Sequence, residues 1–300
     1  MLRSRFFRFF RYLNWTTLRK ASIRVGERRL AGLSSEMAFN AMLALFPGIL
    51  AILTAIGLFV SSAATLKNMA VQLSEVAPKE VLFLIQGFIA EVTQGHNQGL
   101  FSLSFLAAIW TSSAAIGAAM VAFDEIHRIP LKQRRPFWKA KLISIALTIG
   151  TIILLIAASF LVFLSDLIIK LVASNAGALG SELLSAWRLF SWPLALGIVA
   201  IACAFIYRYG PSCWEHGTPI LPGAIVAALL WAGVSALFRL YVSNFGNYNK
   251  VYGAVGAVIV LMLWLYMSCF VLLLGEQLNI TVGDEIRQKA RTKTLARFDD

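Results

Sequence analysis

Three small groups of polar residues stand where long apolar runs begin or end. Glu36 and Asn40 are four apart, which puts them on one face of a helix. Glu276 and Asn279 are three apart and share a face in the same way. Asp124 and Arg128 are spaced for a four-residue ion pair, with Glu125 beside them. Ionisable groups at the edge of an apolar helix are costly and default to a functional reading. If the faces carrying Glu36 and Glu276 meet, Glu36, Asn40, Asp124, Arg128, Glu276 and Asn279 form a polar vestibule. Two carboxylates held close in a partly dry site do not both ionise freely, which suits proton coupling or cation capture. The plainer alternative is helix-end charges that reach water or pair with a nearby arginine such as Arg128 or Arg287.

Enzyme chemistry finds little support. Metal-assisted phosphodiester cleavage needs clustered histidines and carboxylates in a wet site. The chain has three histidines, at 96, 127 and 216, and none belongs to a paired-histidine motif. There is no phosphate-cradling glycine loop and no nucleophile elbow. Gly253 and Gly256 suit close helix packing. Cys213 and His216 have a ligand-like spacing, yet two ligands do not close a tetrahedral zinc site. Cys203 and Cys269 lie in apolar runs, so no disulfide framework is expected. The expectation is a non-catalytic chain with no cofactor and no metal.

The elements that must position these residues are membrane spans. Hydrophobic residues make up 59% of the 300 and charged residues 14%, against about half and about a quarter in a soluble domain. Mean hydropathy is +0.74. About 20 apolar residues cross a bilayer core, and six runs qualify, at 37–60, 100–122, 141–165, 189–207, 218–240 and 254–275. The predicted fold is all-α, a polytopic bundle of six transmembrane helices. An amphipathic helical pair is expected in the first external loop, 61–99. Pro47 and Gly48 are the candidate kink of the first span, and Pro193 falls near the start of the fourth. The second span carries four-residue pairs of small residues, Ser113/Gly117, Ala114/Ala118 and Ala115/Ala119, which let backbones approach. They fit packing within one chain, with a homo-oligomer as the alternative.

Charge sets the expected orientation. Of the 27 lysines and arginines, 21 fall in 1–36, 123–141, 208–217 and 276–300. The positive-inside rule then puts both termini in the cytoplasm. The net charge of +12 reads as topology signal and attraction to anionic lipid, and no nucleic acid is expected. In 1–20, Leu2, Phe6, Phe9, Phe10 and Leu13 share one helical face while Arg5, Arg8 and Arg11 lie to another. These three arginines are candidate lipid-headgroup contacts of an interfacial helix. The organisation expected is a basic amphipathic cytoplasmic segment at 1–33, a six-helix membrane domain at 34–281 and a basic cytoplasmic tail at 282–300.

The stretch from Ser35 to Pro47, with Glu36-Met37-Ala38-Phe39-Asn40 at its start, resembles the opening of the YihY/BrkB family of bacterial inner-membrane proteins. Trp110-Thr111-Ser112-Ser113 and Arg134-Arg135-Pro136-Phe137-Trp138 also fit. The clearest match is Tyr252-Gly253-Ala254-Val255-Gly256 continuing through Trp264-Leu265-Tyr266 to Leu274-Gly275-Glu276-Gln277-Leu278-Asn279. Where this chain has Phe39 or Asn40 the family often has an aromatic residue, commonly tyrosine. The resemblance implies six spans in the bacterial cytoplasmic membrane. Family members have carried labels as ribonucleases, serum-resistance factors, transporters and lipid exporters. The residues here favour a transporter or exporter of an amphiphilic or lipid-like solute, with membrane lipids and that solute as partners. The alternative is a non-catalytic scaffold in envelope assembly. A polar cavity at membrane depth touching several spans separates the first from the second.

Overall fold

The computed structural model describes residues 12, 14–59, 98–154, 157, 177–214, 218–244 and 248–296. Arg5, Arg8, Arg11 and His216 lie outside those residues, as does nearly all of the helical pair expected in 61–99. The described residues are helical with short connections, and no strand occurs among them. The helices are α1 (Trp15–Glu27), α2 (Leu30–Phe59), α3 (Gln98–Ile126), α4 (Phe137–Leu154), α5 (Gly177–Tyr209), α6 (Leu221–Asn244) and α7 (Tyr248–Ala296).

Four of them contain stretches long and apolar enough to cross a membrane: Leu106–Ile126, Phe137–Leu154, Leu221–Val242 and Val258–Lys289. Two shorter apolar stretches, Leu30–Leu45 and Pro193–Tyr209, lie within the longer helices α2 and α5. Large apolar side chains are turned outward along the bundle, among them Leu106, Leu142, Ile153, Ile201, Leu237 and Ile259. Exposed apolar side chains along so many helices suit a surface solvated by lipid tails. The described residues form an all-helical membrane bundle.

Several helices extend past the apolar runs. α7 has 49 residues, about 74 Å at 1.5 Å per residue, well over a hydrocarbon core of about 30 Å. It therefore carries its polar end, with Asp284, Glu285, Arg287 and Lys289, beyond the apolar layer. α1 packs on that end through its buried face, Thr17 and Ala21. Arg24 pairs with Asp284 at 2.6 Å, Lys20 pairs with Glu285, and Lys289 sits 4.6 Å from the Tyr12 ring.

α2 runs through Pro47 and α5 through Pro193 without a break in helix. Pro47 removes the N–H that would bond the carbonyl four residues earlier. A Cβ on Gly48 would stand 3.7 Å from the Ser112 Cβ of α3, an ordinary contact. Among the described residues, α2 and α3 make the most extensive helix–helix contact. Ser112, Ser113 and Ala119 of the small-residue stretch are buried within the chain.

The best-packed core gathers at one end. Leu30 and Met37 of α2, Phe123 and Ile126 of α3, Tyr207 of α5 and Leu273 of α7 meet there. So do the start of α2, the ends of α3 and α5, the start of α6 and the waist of α7. This is the end that holds most of the basic residues, and it is where every candidate side chain with described contacts lies.

Deeper in the bundle, α6 and α7 are joined by two indoles. Trp231 and Trp264 stack edge to face, with centroids 6.3 Å apart. Trp231 donates to Ser268 and Trp264 to Ser235. These two tryptophans pack the α6–α7 contact. Trp110 is different, being 43% exposed and in contact with Trp138 and Lys141.

Candidate functional site

A glycine contact between α6 and α7 sets the geometry. A Cβ on Gly275 would lie 2.7 Å from the Gly223 carbonyl oxygen, 2.5 Å from the Tyr207 hydroxyl and 2.8 Å from the Ala227 Cβ. One on Gly223 would lie 2.2 Å from the Asn279 side-chain oxygen. Only glycine allows so close an approach here. The helices therefore nearly touch, and Asn279 reaches the first turn of α6. Its Oδ1 accepts the Gly223 N–H at 2.9 Å, satisfying a donor that has no partner within its own helix. Its Nδ2 donates to the Ile220 carbonyl at 3.2 Å and to Glu276 Oε2 at 3.1 Å.

Glu276 is 0% exposed. Its second oxygen, Oε1, lies 2.8 Å from His127 Nε2, and the His127 side chain is itself only 4% exposed. The imidazole comes from the residue just past α3 and packs near Trp214, with ring centroids 5.9 Å apart. An imidazolium facing the carboxylate and a neutral imidazole donating Nε2–H to it both satisfy this contact. The arrangement is thus a buried acid–base pair, held by an asparagine that also caps a neighbouring helix. It ties α3, α6 and α7 together.

Asp124 makes a second buried junction. It is 6% exposed and accepts the Ser212 N–H and the Ser212 hydroxyl, each at 2.7 Å. Ser212 Oγ in turn accepts the Arg135 N–H. Arg135 Nη1 donates to the carbonyls of Tyr209 and Gly210, the free acceptors at the end of α5. Burial is the main reason the Arg135 guanidinium is lowered from its usual range, with Asp124 and then Cys213 raising it. Asp124 therefore turns to Ser212, while Arg128 stands 3.8 Å from Glu27.

The third group lines an open cavity of about 550 Å³ between the α1–α2 turn, α2 and the end of α3. Glu27, Arg28, Arg29, Gly32, Leu33, Glu36, Glu125 and Arg128 form its walls. Asn40 lies a turn beyond Glu36 and bonds that residue's backbone carbonyl at 2.9 Å. The six vestibule candidates thus fall into three places: Glu36, Asn40 and Arg128 at or near the cavity, Asp124 on Ser212, and Glu276 with Asn279 in the core. No hydrogen bond or ion pair links Glu36 to Glu276 among the described residues.

His127 is the partner that sequence reasoning missed. It sits 149 residues from Glu276, and a lone histidine after a span carries no spacing signal. Among the described residues no group of three or more histidine, cysteine, aspartate or glutamate side chains is arranged to hold a metal. Cys213 is exposed, and Cys203, Cys213 and Cys269 are all free thiols.

A helical membrane bundle with buried polar junctions at its basic end is a class shared by many proteins. The comparisons narrow it. Residues 21–299 match the family described as virulence factor BrkB, and the chain belongs to that family. It is 30% identical over 247 residues to YfkH of Bacillus subtilis, which is named as a ribonuclease-like protein; that match covers 82% of this chain and 87% of the relative. A UPF0761 membrane protein of Cronobacter sakazakii is 27% identical over 275 residues, covering 90% of each chain. The UPF0761 membrane protein PBPRA3489 of Photobacterium profundum is 27% identical over 268 residues, 87% of this chain and 79% of its own. No solved structure matches the chain.

Proposed function

We propose that the chain is a six-span transporter or exporter of an amphiphilic or lipid-like solute in the bacterial inner membrane, with both termini cytoplasmic and no catalytic activity. The observation that carries this reading is the His127–Glu276–Asn279 group. A buried acid–base pair costs stability in an apolar bundle and defaults to function. Here it joins three helices at a glycine crossing, so its contacts couple all three.

Six spans are supported by the lengths of α2 and α5. With 30 and 33 residues they reach about 45–50 Å, although their described apolar stretches are shorter. Gathering the start of α2, the ends of α3 and α5 and the start of α6 at one end favours an up-and-down bundle. The lysine and arginine distribution favours the cytoplasm for that end. Arg5, Arg8 and Arg11 then face anionic lipid.

The scaffold reading is favoured by one feature, the ion-paired platform that α1 makes with the polar end of α7. The two are separated by reconstitution. Full-length protein in liposomes should move a fluorescent lipid analogue or a small amphiphile across the bilayer. Glu276→Gln and His127→Gln should abolish that flux while inserting and melting as folded protein. Wild-type flux from both variants would sink the assignment of the pair, and an inert wild type would leave the scaffold.

A further inference from the structure

The cavity lined by Arg28 and Glu36 has a different character, because part of its charge has no partner. Arg28 Nε and Nη1 are buried and have no hydrogen-bond partner. Buried donors left unpaired are rare and call for an explanation. Burial first, then the nearby Arg128 and Arg24 charges, push the Arg28 guanidinium down to about 10, with Asp284 and Glu27 acting the other way. The group stays cationic at neutral pH, and no hydrogen bond to Nε or Nη1 offsets its burial.

Two backbone observations point to the same cavity. Arg29 has φ 51° and Arg128 has φ 54°, left-handed conformations in which a helix usually ends on glycine. At Arg128 the ending is fully formed: the Arg128 N–H bonds the Glu125 carbonyl and the Ile129 N–H bonds the Asp124 carbonyl. The chain thus places arginine at both strained positions, and both line this one cavity.

The acidic wall is partly free as well. Glu125 accepts from Arg134 at 3.1 Å, and Glu27 faces Arg128 at 3.8 Å. Glu36 has no ion pair among the described residues. A guanidinium with two unpartnered nitrogens and a carboxylate without an ion pair, both lining one cavity, match a ligand that carries a phosphate and an ammonium. We infer that the cavity binds a zwitterionic aminoalkyl phosphate headgroup, with its phosphate on Arg28, supported by Arg29 and Arg128, and its ammonium on Glu36. A guanidinium suits phosphate because its planar donors fit two oxygens at once.

Membrane lipid is the favoured source. The cavity opens where the apolar stretches Leu30–Leu45 and Leu106–Ile126 end, and Leu33 supplies an apolar wall. The ends of apolar stretches are where a span meets lipid headgroups. The site stands whether or not the chain transports anything, and it does not involve Glu276.

The test uses full-length protein in detergent, titrated with short-chain phosphatidylethanolamine, the matching phosphatidylglycerol, glycerophosphoethanolamine and inorganic phosphate. Bound adducts are counted by native mass spectrometry. Phosphatidylethanolamine should bind about tenfold more tightly than phosphatidylglycerol, a gap of about 1.4 kcal/mol. Arg28→Met should weaken both, while Glu36→Gln should remove only the preference for phosphatidylethanolamine. Glycerophosphoethanolamine binding as tightly as the lipid would keep the site and assign it to a soluble headgroup. Equal binding of all phosphates, unaffected by Glu36→Gln, would overturn the zwitterionic assignment. Lipid binding unchanged in Arg28→Met would overturn the site.

Melting of the lipid-free protein separates binding from structure. Arg28→Met and Arg128→Gly should melt at or above the wild-type temperature, because one removes unpaired donors and the other relieves a left-handed residue. A fall of more than about 4 °C in both would make these arginines structural and reject the proposal.

Discussion

The last turn of α3 and the two residues after it serve two regions of different character. Asp124 and His127 point into the core, where every polar contact is closed by Ser212 or Glu276. Glu125 and Arg128, interleaved with them in the sequence, line an open cavity beside an arginine with two unpartnered nitrogens. A helix advances about 100° per residue, so neighbours in sequence are assigned to different surroundings. Charge alone therefore says little about role. What decides it is whether the protein itself supplies the partner, as it does at Glu276, or leaves that to something else, as at Arg28.

Three substitutions test the contrast. Glu276→Ala should have the largest effect, since it strands a buried imidazole and one donor of Asn279. Breaking a buried pair in this way costs about 3–5 kcal/mol, to be read from denaturant or thermal unfolding in detergent. A loss below 1 kcal/mol would mean the pair is as wet as the cavity. Asp124→Asn comes next. It weakens two charge-assisted bonds to Ser212, for about 2 kcal/mol, and should loosen the connection after α5, visible as faster amide exchange near Gly210. Unchanged exchange would detach Asp124 from that junction. Glu125→Gln, one residue further on, should be nearly silent. Its contact to Arg134 is half exposed on the carboxylate side, and such pairs contribute below about 1 kcal/mol. A loss equal to that of Asp124→Asn would erase the difference between the two faces.

The pH response carries the same distinction. Arg28 has a lowered pKa in the folded chain, so the unfolded chain holds that proton more tightly. The resulting penalty is fully present at neutral pH and eases only as pH rises through about 10. A bound phosphate should raise that pKa and shrink the penalty, which makes Arg28 a position where ligand and stability are linked.

Membrane character and the principal apolar helices were legible in the sequence, because bilayer thickness sets a length and a composition that any crossing helix must meet. Glu36, Asp124 and Glu276 could also be singled out, since charge beside apolar runs is rare enough to mark a position. The exposure of Trp110 carried no such signal. Helix ends were less legible: α2 starts at Leu30, before the apolar run, and α7 continues through its polar segment to Ala296. Hydropathy locates the layer, whereas helix ends depend on local capping and on partners such as α1.

The pairing of those residues was decided by tertiary structure alone. Glu276 meets His127 because two glycines let α7 press against α6 and turn Asn279 and Glu276 toward the end of α3. Nothing in the spacing of residues 127 and 276 encodes that meeting. From sequence, Arg128 reads as an ion partner for Asp124, and Arg29 carries no signal. Only the folded backbone shows them in left-handed conformations around one cavity, since a backbone angle depends on how each helix ends and on what packs against that end.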